Sequence, residues 1–521
     1  MWVVEQELRA RLVAIQTSLT PTERTRTIQI QLSPISFLPS EILIYIFRLG
    51  LDKVPQSAHE LLLPVAVTGV CRGWRAVALR TPELWTRVFV TSATPIYLLQ
   101  TYLDRSRDSE MDVSFCHWPI PKRCNEVNSS EAFLELIVGT LCHHVHRLRR
   151  LSIWDVSDTV VCTAIGALLN FYTPRLTSVF VKANQTTYDQ YYELRNAHLL
   201  PFLSGGAPSL THLVIHHFPI ETFRMRSDWS FHARNLASIT LRTQEWPVLG
   251  VLLPPYLIEF PALCALLRST PNLVTLALYG PVVEPDEDFP TRPLRVTLPS
   301  LKTLIIHRRV PGVRYHCELL NVLKMPALKR LDVPWHDDLT VEPPYADHAA
   351  TYLFDEEGRP RFASVKTLYL RDSAVRRMMP TRTFMKAFPN VEKVILGGTD
   401  VAKFAATLRG FVLSHTAPVS GVRSARAGRR ALLEREPEGV LAEGAWERVR
   451  RIVLKDPDMA RWKGWVRGFC KWLAAGGHTS RMLCVEIQGG VLHGDELDEC
   501  EKKAFRRGLE RLGQYARVVV V

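Results

Sequence analysis

The sequence lacks the short motifs that mark many nucleotide-binding and hydrolytic enzymes. It contains no GxxxxGK[ST], no GxSxG, no HExxH, and no GxGxxG that follows a predicted strand. A nucleophile paired with a base, or a loop built to hold phosphate, is therefore not indicated. We predict a non-enzymatic protein that needs no cofactor.

Cysteine is present without a pattern. None of the ten cysteines forms a CxxC pair and their spacing is irregular, so neither a disulfide framework nor a zinc knuckle is indicated. Cys142, His143, His144 and His146 are close in sequence but have no second ligand pair at metal spacing. We interpret these histidines as surface residues at a helix end, and we predict no metal site.

Long apolar runs are also missing. Glu5 and Glu7 stand where a signal peptide would have its apolar core. The most apolar later window, "VLGVLLPPYLIEFPALCALL", contains three prolines and Glu259, which a membrane-spanning helix would not tolerate. We therefore expect no membrane association, and a location in the cytoplasm, the nucleus or both.

The charge of the chain is basic but dispersed. Its 521 residues carry a net charge of +13 and a pI near 9.3, yet lysine and arginine are spread along the chain, so a nucleic-acid partner is not indicated. Residues 1–33 have the pattern of an amphipathic helix with a polar tail. Residues 421–439 are charged without apolar periodicity and are interpreted as a mobile insertion, or alternatively as a basic docking segment.

Residues 91–521 contain a short segment that recurs along the chain. It reads Leu-x-x-Leu-x-Leu, usually after a proline, and occurs ten times as "HRLRRLSI", "PRLTSVFV", "PSLTHLVI", "RNLASITL", "PNLVTLAL", "PSLKTLII", "PALKRLDV", "ASVKTLYL", "PNVEKVIL" and "ERVRRIVL". Copies are spaced by intervals such as the 27 residues from Leu301 to Leu328, close to the period of leucine-rich repeats. We predict an α/β fold in which these strands form the parallel sheet of a curved, leucine-rich-repeat-like solenoid.

The segments between and after the repeats fit this fold. "EAFLELIVGTLCHHV" and "PALCALLRST" have helical spacing, and the C-terminal region predicts a helix, the strand "RMLCVEIQ", the helix "DELDECEKKAFRRGLERLG" and the strand "ARVVVV". The aromatic stripe of Trp462, Trp465, Phe469 and Trp472 is interpreted as core, a membrane-surface helix being the alternative. His216 and His217 at a strand exit are interpreted as loop residues, with ligand contact as the alternative.

The stretch "FLPSEILIYIFRLG", residues 37–50, is ambiguous between strand and helix. Three isoleucines favour a strand, but Pro39 suits the first turn of a helix and Glu41 faces the positive end of the helix dipole. We therefore predict a helix. The six successive apolar residues 42–47 make this helix apolar on more than one side. We therefore expect one side to pack against the rest of the protein and another side to contact a partner.

This stretch, together with "VCRGW" and "PELW" downstream, resembles an F-box, the three-helix module that binds Skp-type adaptors in Skp–cullin–F-box ubiquitin ligases. We assign the module to residues 36–90; the matching positions are Leu38, Pro39, Glu41, Ile42, Leu43, Ile46, Phe47, Val70, Cys71, Arg72, Trp74, Pro82, Leu84, Trp85 and Val88. A long linker after Leu51 resembles the F-boxes of fungal multi-copy receptor families. Gly73 departs from the family, which more often has a longer polar side chain there.

The resemblance implies a substrate receptor for ubiquitin-dependent protein degradation. Its F-box would bind a Skp-type adaptor, and through it a cullin, while the repeats hold an unidentified target protein. The implied adaptor-binding residues are Leu38, Pro39, Ile42, Leu43, Ile46, Phe47, Val70, Cys71, Trp74, Leu84 and Trp85. The alternative is a repeat scaffold that binds a partner protein or an acidic polymer without any link to a ubiquitin ligase, the first helix only capping the solenoid.

Overall fold

The computed structural model describes a large part of the chain. The described residues are 35, 38–53, 62–118, 124–183, 206–216, 234–243, 258, 260–280, 282–283, 295–307, 315–333, 353–355, 357–370, 386–397, 449–455, 466, 470, 483–488, 499–514 and 516–520. The linker was predicted after Leu51, but the first helix continues to Lys53. The predicted N-terminal helix, residues 54–60 of the linker, the 421–439 insertion, the stripe residues Trp462, Trp465, Phe469 and Trp472, and His217 lie outside the described residues. Those interpretations stay predictions.

The chain divides into two compact units. The N-terminal unit comprises Met1–His117 and the C-terminal unit Trp118–Val521. The predicted F-box lies wholly within the first unit and the ten repeated segments lie within the second.

The N-terminal unit begins with three helices. These are α1 (Ser40–Lys53), α2 (Leu62–Val70) and α3 (Arg72–Arg80), followed by a 3-10 turn (Pro82–Trp85), β1 (Arg87–Val90), α4 (Ile96–Ser106) and β2 (Met111–Trp118). Strand β1 pairs with β2 in parallel, and α4 supplies the crossover between them. α4 buries Leu99, Tyr102, Leu103 and Ser106, which follow the i, i+3, i+4, i+7 spacing of one helix face.

A large parallel sheet dominates the C-terminal unit, as predicted. Its strands are β3 (Leu148–Val156), β4 (Ser178–Ala183), β5 (His212–His216), β6 (Ser238–Arg242), β7 (Thr275–Tyr279), β9 (Thr303–His307), β11 (Arg330–Asp332), β12 (Thr367–Leu370), β13 (Lys393–Gly397), β14 (Arg451–Lys455), β15 (Cys484–Gln488) and β16 (Arg517–Val520), in that spatial order. Each of the ten repeated segments contributes one strand, and "RMLCVEIQ" and "ARVVVV" contribute the last two. A separate two-stranded parallel pair joins β8 (Val296–Thr297) to β10 (Leu323–Lys324).

The described helices of the C-terminal unit precede or follow strands of the sheet. They are α5 (Cys124–Cys142), α6 (Asp158–Leu168), α7 (Phe260–Arg268), α8 (Tyr315–Val322) and α9 (Glu499–Gly513), with a 3-10 turn at Val145–Arg147. The helices predicted from "EAFLELIVGTLCHHV", "PALCALLRST" and "DELDECEKKAFRRGLERLG" are present as α5, α7 and α9. Within the described residues, no helix is both long enough and apolar enough to cross a bilayer.

Each strand buries the apolar positions of its repeated segment. In β4 and β5, for example, Val179 and Val181 lie in register with Leu213 and Ile215, and all four side chains are buried. The apolar residue that opens each segment is buried as well, as at Leu176, Leu210, Leu236 and Leu273. The Leu-x-x-Leu-x-Leu spacing is therefore explained by a turn residue and two strand residues that enter the same core.

Asparagine side chains tie several of the turns to the turn before. Asn235 Nδ2 donates to the Pro208 carbonyl at 2.6 Å, and Asn272 Nδ2 donates to the Arg234 carbonyl at 2.9 Å. Further along the sheet, Asn390 Nδ2 donates to the carbonyl of Ala363 at 2.7 Å. In these three repeats the asparagine beside the opening apolar position satisfies a carbonyl of the neighbouring repeat, which helps to keep the copies in register.

Candidate functional site

One side of α1 holds the N-terminal unit together. Leu43, Phe47 and Leu51 recur every four residues and are buried. At full burial each apolar side chain of this size contributes about 1.5–3 kcal/mol. This face packs toward α2, α3 and the 3-10 turn.

The opposite side of α1 is apolar and exposed. Ile42, Tyr45, Ile46 and Leu49 follow the i, i+3, i+4, i+7 spacing and are 46%, 60%, 40% and 37% exposed. We call these four residues the α1 stripe. Contiguous apolar surface of this kind on a short helix is typical of a protein interaction site.

The first turn of α1 is fixed by Pro39. Its carbonyl accepts hydrogen bonds from the N–H groups of Ile42 and Leu43, both at 3.1 Å. The helix predicted for residues 39–50 is therefore present, beginning at Ser40 with Glu41 in its first turn. Near its other end, a methyl group added at Gly50 would lie 3.2 Å from Leu63 Cδ2, so α1 and α2 approach closely there.

The turn from α2 into α3 is held by side chains that the F-box resemblance singled out. Cys71 Sγ caps α3 by accepting a hydrogen bond from the Trp74 N–H at 3.4 Å. The Trp74 ring lies 5.0 Å from the Phe47 ring, and Arg75 Nε donates to the Thr68 carbonyl at 2.8 Å. These contacts set the direction of α3 relative to α1.

Trp85 anchors the end of the module. It is fully buried, its indole N–H donates to the Ala78 carbonyl at 3.0 Å, and its ring lies 5.1 Å from Tyr102 and 4.4 Å from the Arg105 guanidinium carbon. Burial raises the pKa of Tyr102 well above its usual range, although Arg105 opposes the shift. Packing of the F-box-like region thus extends into α4, beyond the sequence that resembles the family.

The predicted adaptor-binding residues fall into three groups. Pro39, Ile42, Ile46 and Val70 are exposed, and Leu38, Cys71 and Trp74 are half-buried. Leu43, Phe47, Leu84 and Trp85 are buried inside the N-terminal unit. These last four side chains pack in the core of the unit, and their contact with an adaptor stays a prediction.

The adaptor-binding residues implied by the resemblance leave out other exposed apolar side chains. Tyr45 and Leu49 complete the α1 stripe, and Val65 is 38% exposed on α2. Tyr45 and Leu49 follow Ile42 by three and seven residues, so helical spacing places them on the same face of α1. Neither residue belongs to the family motif, so the resemblance does not name them.

The described histidines of the two groups have the following surroundings. Among the described residues, no cluster of three or more His, Cys, Asp or Glu side chains could hold a metal ion. His143 and His146 are exposed, and His144 lies 3.3 Å from an Arg147 nitrogen. His216 ends β5 half-buried, with its ring 5.6 Å from that of Phe180.

Comparison with protein families identifies the helical region. Residues 35–91 match the family model described as F-box-like. A search of the curated proteins gives no match for the chain. The match supports the F-box resemblance, and the residues it covers include α1, α2, α3, the 3-10 turn and β1.

Proposed function

We propose that this chain is a substrate receptor of a Skp–cullin–F-box ubiquitin ligase. The F-box-like region binds the Skp-type adaptor, which connects it to a cullin, and the C-terminal unit holds a target protein. The observation that carries this proposal is the α1 stripe, an uncovered apolar helix face inside the region that matches the F-box-like model.

The α1 stripe needs support from other elements to make a stable interface. Its four side chains are already about half covered, so further burial contributes roughly half of the 1.5–3 kcal/mol that each gains on full burial. Association costs about 4–15 kcal/mol, which the stripe alone does not clearly exceed. We propose that Pro39, Val65 and Val70, together with the half-buried Leu38, Cys71 and Trp74, supply the remaining adaptor contacts.

For the C-terminal unit we propose a curved, leucine-rich-repeat-like solenoid. The regular recurrence of strands and the asparagine hydrogen bonds between successive turns support this architecture. The strand side chains that point away from the buried apolar rows are the surface we assign to the target protein.

The proposed contribution of this chain to the reaction is proximity. Holding a target beside the ligase raises the effective concentration of its lysines near the activated ubiquitin. Catalysis then belongs to other subunits, and the complex acts in the cytoplasm, the nucleus or both.

Co-purification of the full chain with a Skp-type adaptor tests this proposal. We expect the wild-type chain to retain the adaptor, and the double variant Ile42→Ala, Ile46→Ala to retain at least tenfold less, because two apolar contacts worth about 1 kcal/mol or more each are removed. Thermal unfolding should be nearly unchanged, since both side chains are exposed.

Leu136→Ala is the matched control. Leu136 is a similarly sized apolar residue, 55% exposed on α5 in the other unit, and its removal should leave adaptor binding intact. A wild-type chain that does not bind the adaptor, or a double variant that binds as well as the control, contradicts the proposal.

A further inference from the structure

A row of side chains follows one edge of the sheet in the C-terminal unit. Lys182, His216, Arg242, Tyr279 and His307 lie opposite one another in register across β4, β5, β6, β7 and β9. Because parallel strands end at the same edge, all five lie at the carboxyl end of the sheet, and neighbours are about 4.8 Å apart. We call these five residues the strand-end row.

Ring contacts hold the row in order. The Arg242 guanidinium carbon lies 5.6 Å from the centre of the Tyr279 ring, and the Tyr279 ring lies 5.5 Å from that of His307. On the other side of Arg242, the centres of the His216 and Phe180 rings lie 5.6 Å apart in an edge-to-face arrangement. Their strand neighbours Leu241, Leu278 and Ile306 are buried, so the row lies on the face opposite that core.

The row carries cations and no carboxylate. Lys182 is partly neutralised by Asp155, whose Oδ1 lies 3.8 Å from its Nζ. Arg242 is exposed, and among the described residues it has no carboxylate partner. Its planar guanidinium, oriented by Tyr279, therefore presents hydrogen-bond donors to whatever approaches this edge.

A second, more apolar row lies directly beside the first. Two residues earlier on each strand, Phe180, Val214, Thr240, Ala277 and Ile305 are aligned in register on the same face. Phe180, Val214, Thr240 and Ile305 are only half-buried, so they retain surface for contact. The face thus offers an oriented arginine next to apolar side chains, within reach of a single peptide segment.

We infer that the strand-end row binds an acidic peptide segment of the target protein, with an aspartate or glutamate on Arg242 and separate apolar side chains over Val214, one strand away, and Ile305, two strands away on the other side. This inference rests on the proposed function, because it names the chemistry of the surface that holds the target. A carboxylate fits the two-pronged donor geometry of an arginine, and charge-assisted bonds of this type are the strong ones.

The number of cations favours a peptide over a nucleic acid. Nucleic-acid binding draws its affinity from several neutralised phosphates, and each adds to the salt dependence. Within the part of the chain that the structure describes, the row has one permanent cation without a carboxylate partner, Arg242, and a second, Lys182, that already contacts Asp155. These two cations are enough to bind one or two carboxylates.

Peptide selection on the intact chain tests the inference. The full-length protein is immobilised and a phage library of random dodecapeptides is selected against wild type, Arg242→Gln and Arg268→Gln. Arg268 is an exposed arginine in the last turn of α7 and serves as the matched control. We expect peptides enriched by wild type and by Arg268→Gln to carry an excess of aspartate and glutamate beside apolar residues, and this excess to disappear with Arg242→Gln.

Binding of one enriched peptide is then measured by fluorescence anisotropy. Arg242→Gln should weaken it roughly tenfold to a hundredfold, the range for losing a hydrogen bond between charged groups, and Arg242→Lys should restore part of the loss. The inference is overturned if no acidic excess appears, if the excess survives in Arg242→Gln, or if single-stranded oligouridylate binds the row more tightly than the peptide.

Adaptor co-purification separates the two proposals. The Arg242→Gln chain should still retain the adaptor, because Arg242 belongs to the C-terminal unit and the α1 stripe to the N-terminal unit. Absence of acidic peptides with adaptor binding intact rejects only the inference. Acidic-peptide selection by a wild-type chain that binds no adaptor rejects the ubiquitin-ligase role and leaves the peptide site standing.

Discussion

Gly280, directly after the strand-end row, occupies a position that only glycine fits. Its φ is +80°, and a Cβ there would lie 2.6 Å from Thr243 Oγ1 and 2.9 Å from the Thr243 carbonyl oxygen. The same turn is closed by hydrogen bonds from Gly280 N to His307 O at 2.6 Å and from Thr243 N to Tyr279 O at 2.9 Å. The backbone after β7 is therefore tied to both neighbouring strands.

Three glycine-to-alanine variants should distinguish the cost of backbone strain at positive φ from the cost of a steric collision of the added Cβ. Gly280→Ala combines a left-handed backbone with a collision and should destabilise the C-terminal unit most, by about 1–3 kcal/mol or more. Gly358→Ala has φ of +72° but open space, so it should cost only about 1–2 kcal/mol. Gly139→Ala, exposed in α5 with nothing within 4 Å, should stabilise by about 0.5–1 kcal/mol. Urea unfolding gives the order, and a Gly280→Ala chain as stable as wild type would contradict the steric argument.

Glu486 is a buried carboxylate on β15 that depends on its partners. Burial opposes its ionisation, but hydrogen bonds from Arg451 and Gln488, with the charges of Arg451 and Lys393, outweigh burial and hold the pKa of Glu486 below its ordinary value. One of these bonds runs from Arg451 Nε to Glu486 Oε2 at 2.6 Å. A carboxyl with a lowered pKa stabilises the folded state above its unfolded pKa, and this stabilisation is lost as the pH falls through the folded pKa.

Glu486→Gln should therefore destabilise the protein mainly at neutral pH. We expect a loss of about 1–3 kcal/mol at pH 7, because the charged hydrogen bonds are removed. The difference from wild type should shrink as the pH falls below about 4.3, the ordinary value for glutamate. Thermal unfolding across this pH range measures it, with Glu135→Gln on the exposed side of α5 as control. A difference that stays constant with pH would show that the Glu486 charge does not matter.

At the level of single elements, α1 has two apolar faces with different roles. Leu43 and Phe47 lie in the core of the N-terminal unit, whereas Ile42 and Ile46, one position earlier in each case, belong to the exposed stripe. Neighbouring residues in a helix differ by about 100° in direction, so adjacent isoleucine, leucine and phenylalanine side chains enter different environments. Local composition alone does not distinguish them.

Substitutions on the two faces of α1 should have opposite signatures. Leu43→Ala or Phe47→Ala should destabilise the N-terminal unit by about 2–5 kcal/mol, because each leaves a cavity. Ile42→Ala or Ile46→Ala should change stability by no more than about 0.5 kcal/mol, as exposed positions usually do. Hydrogen exchange of peptides covering residues 40–53, followed by mass spectrometry, reports on this helix directly. Equal protection losses on both faces would show that the stripe is part of the core.

At the scale of the whole molecule, the two proposed interaction surfaces belong to separate compact units. Combining Ile42→Ala, Ile46→Ala with Arg242→Gln should therefore lose adaptor and acidic-peptide binding by the same factors as the separate variants, since sites without shared partners usually contribute additively. Both affinities are measured on the same preparation. A combined effect far from the sum of the separate free-energy changes would show that the two surfaces are coupled.

The sequence by itself determined the strands of the repeated segments and the helical state of α1. Repeated Leu-x-x-Leu-x-Leu segments predicted the strands of a large parallel sheet, and Pro39 with Glu41 predicted that α1 is a helix despite its isoleucines. These features are local or periodic, so the spacing of residues along the chain is enough to predict them.

Only the tertiary structure decided which side chains remain available. The packing of α2, α3 and α4 buried Leu43, Phe47, Leu84 and Trp85 and left the α1 stripe exposed. Strand register likewise brought Arg242 beside Tyr279, although 37 residues separate them in the sequence. Exposure and long-range juxtaposition depend on neighbours distant along the chain, so local spacing groups side chains on one face but does not decide which face stays exposed.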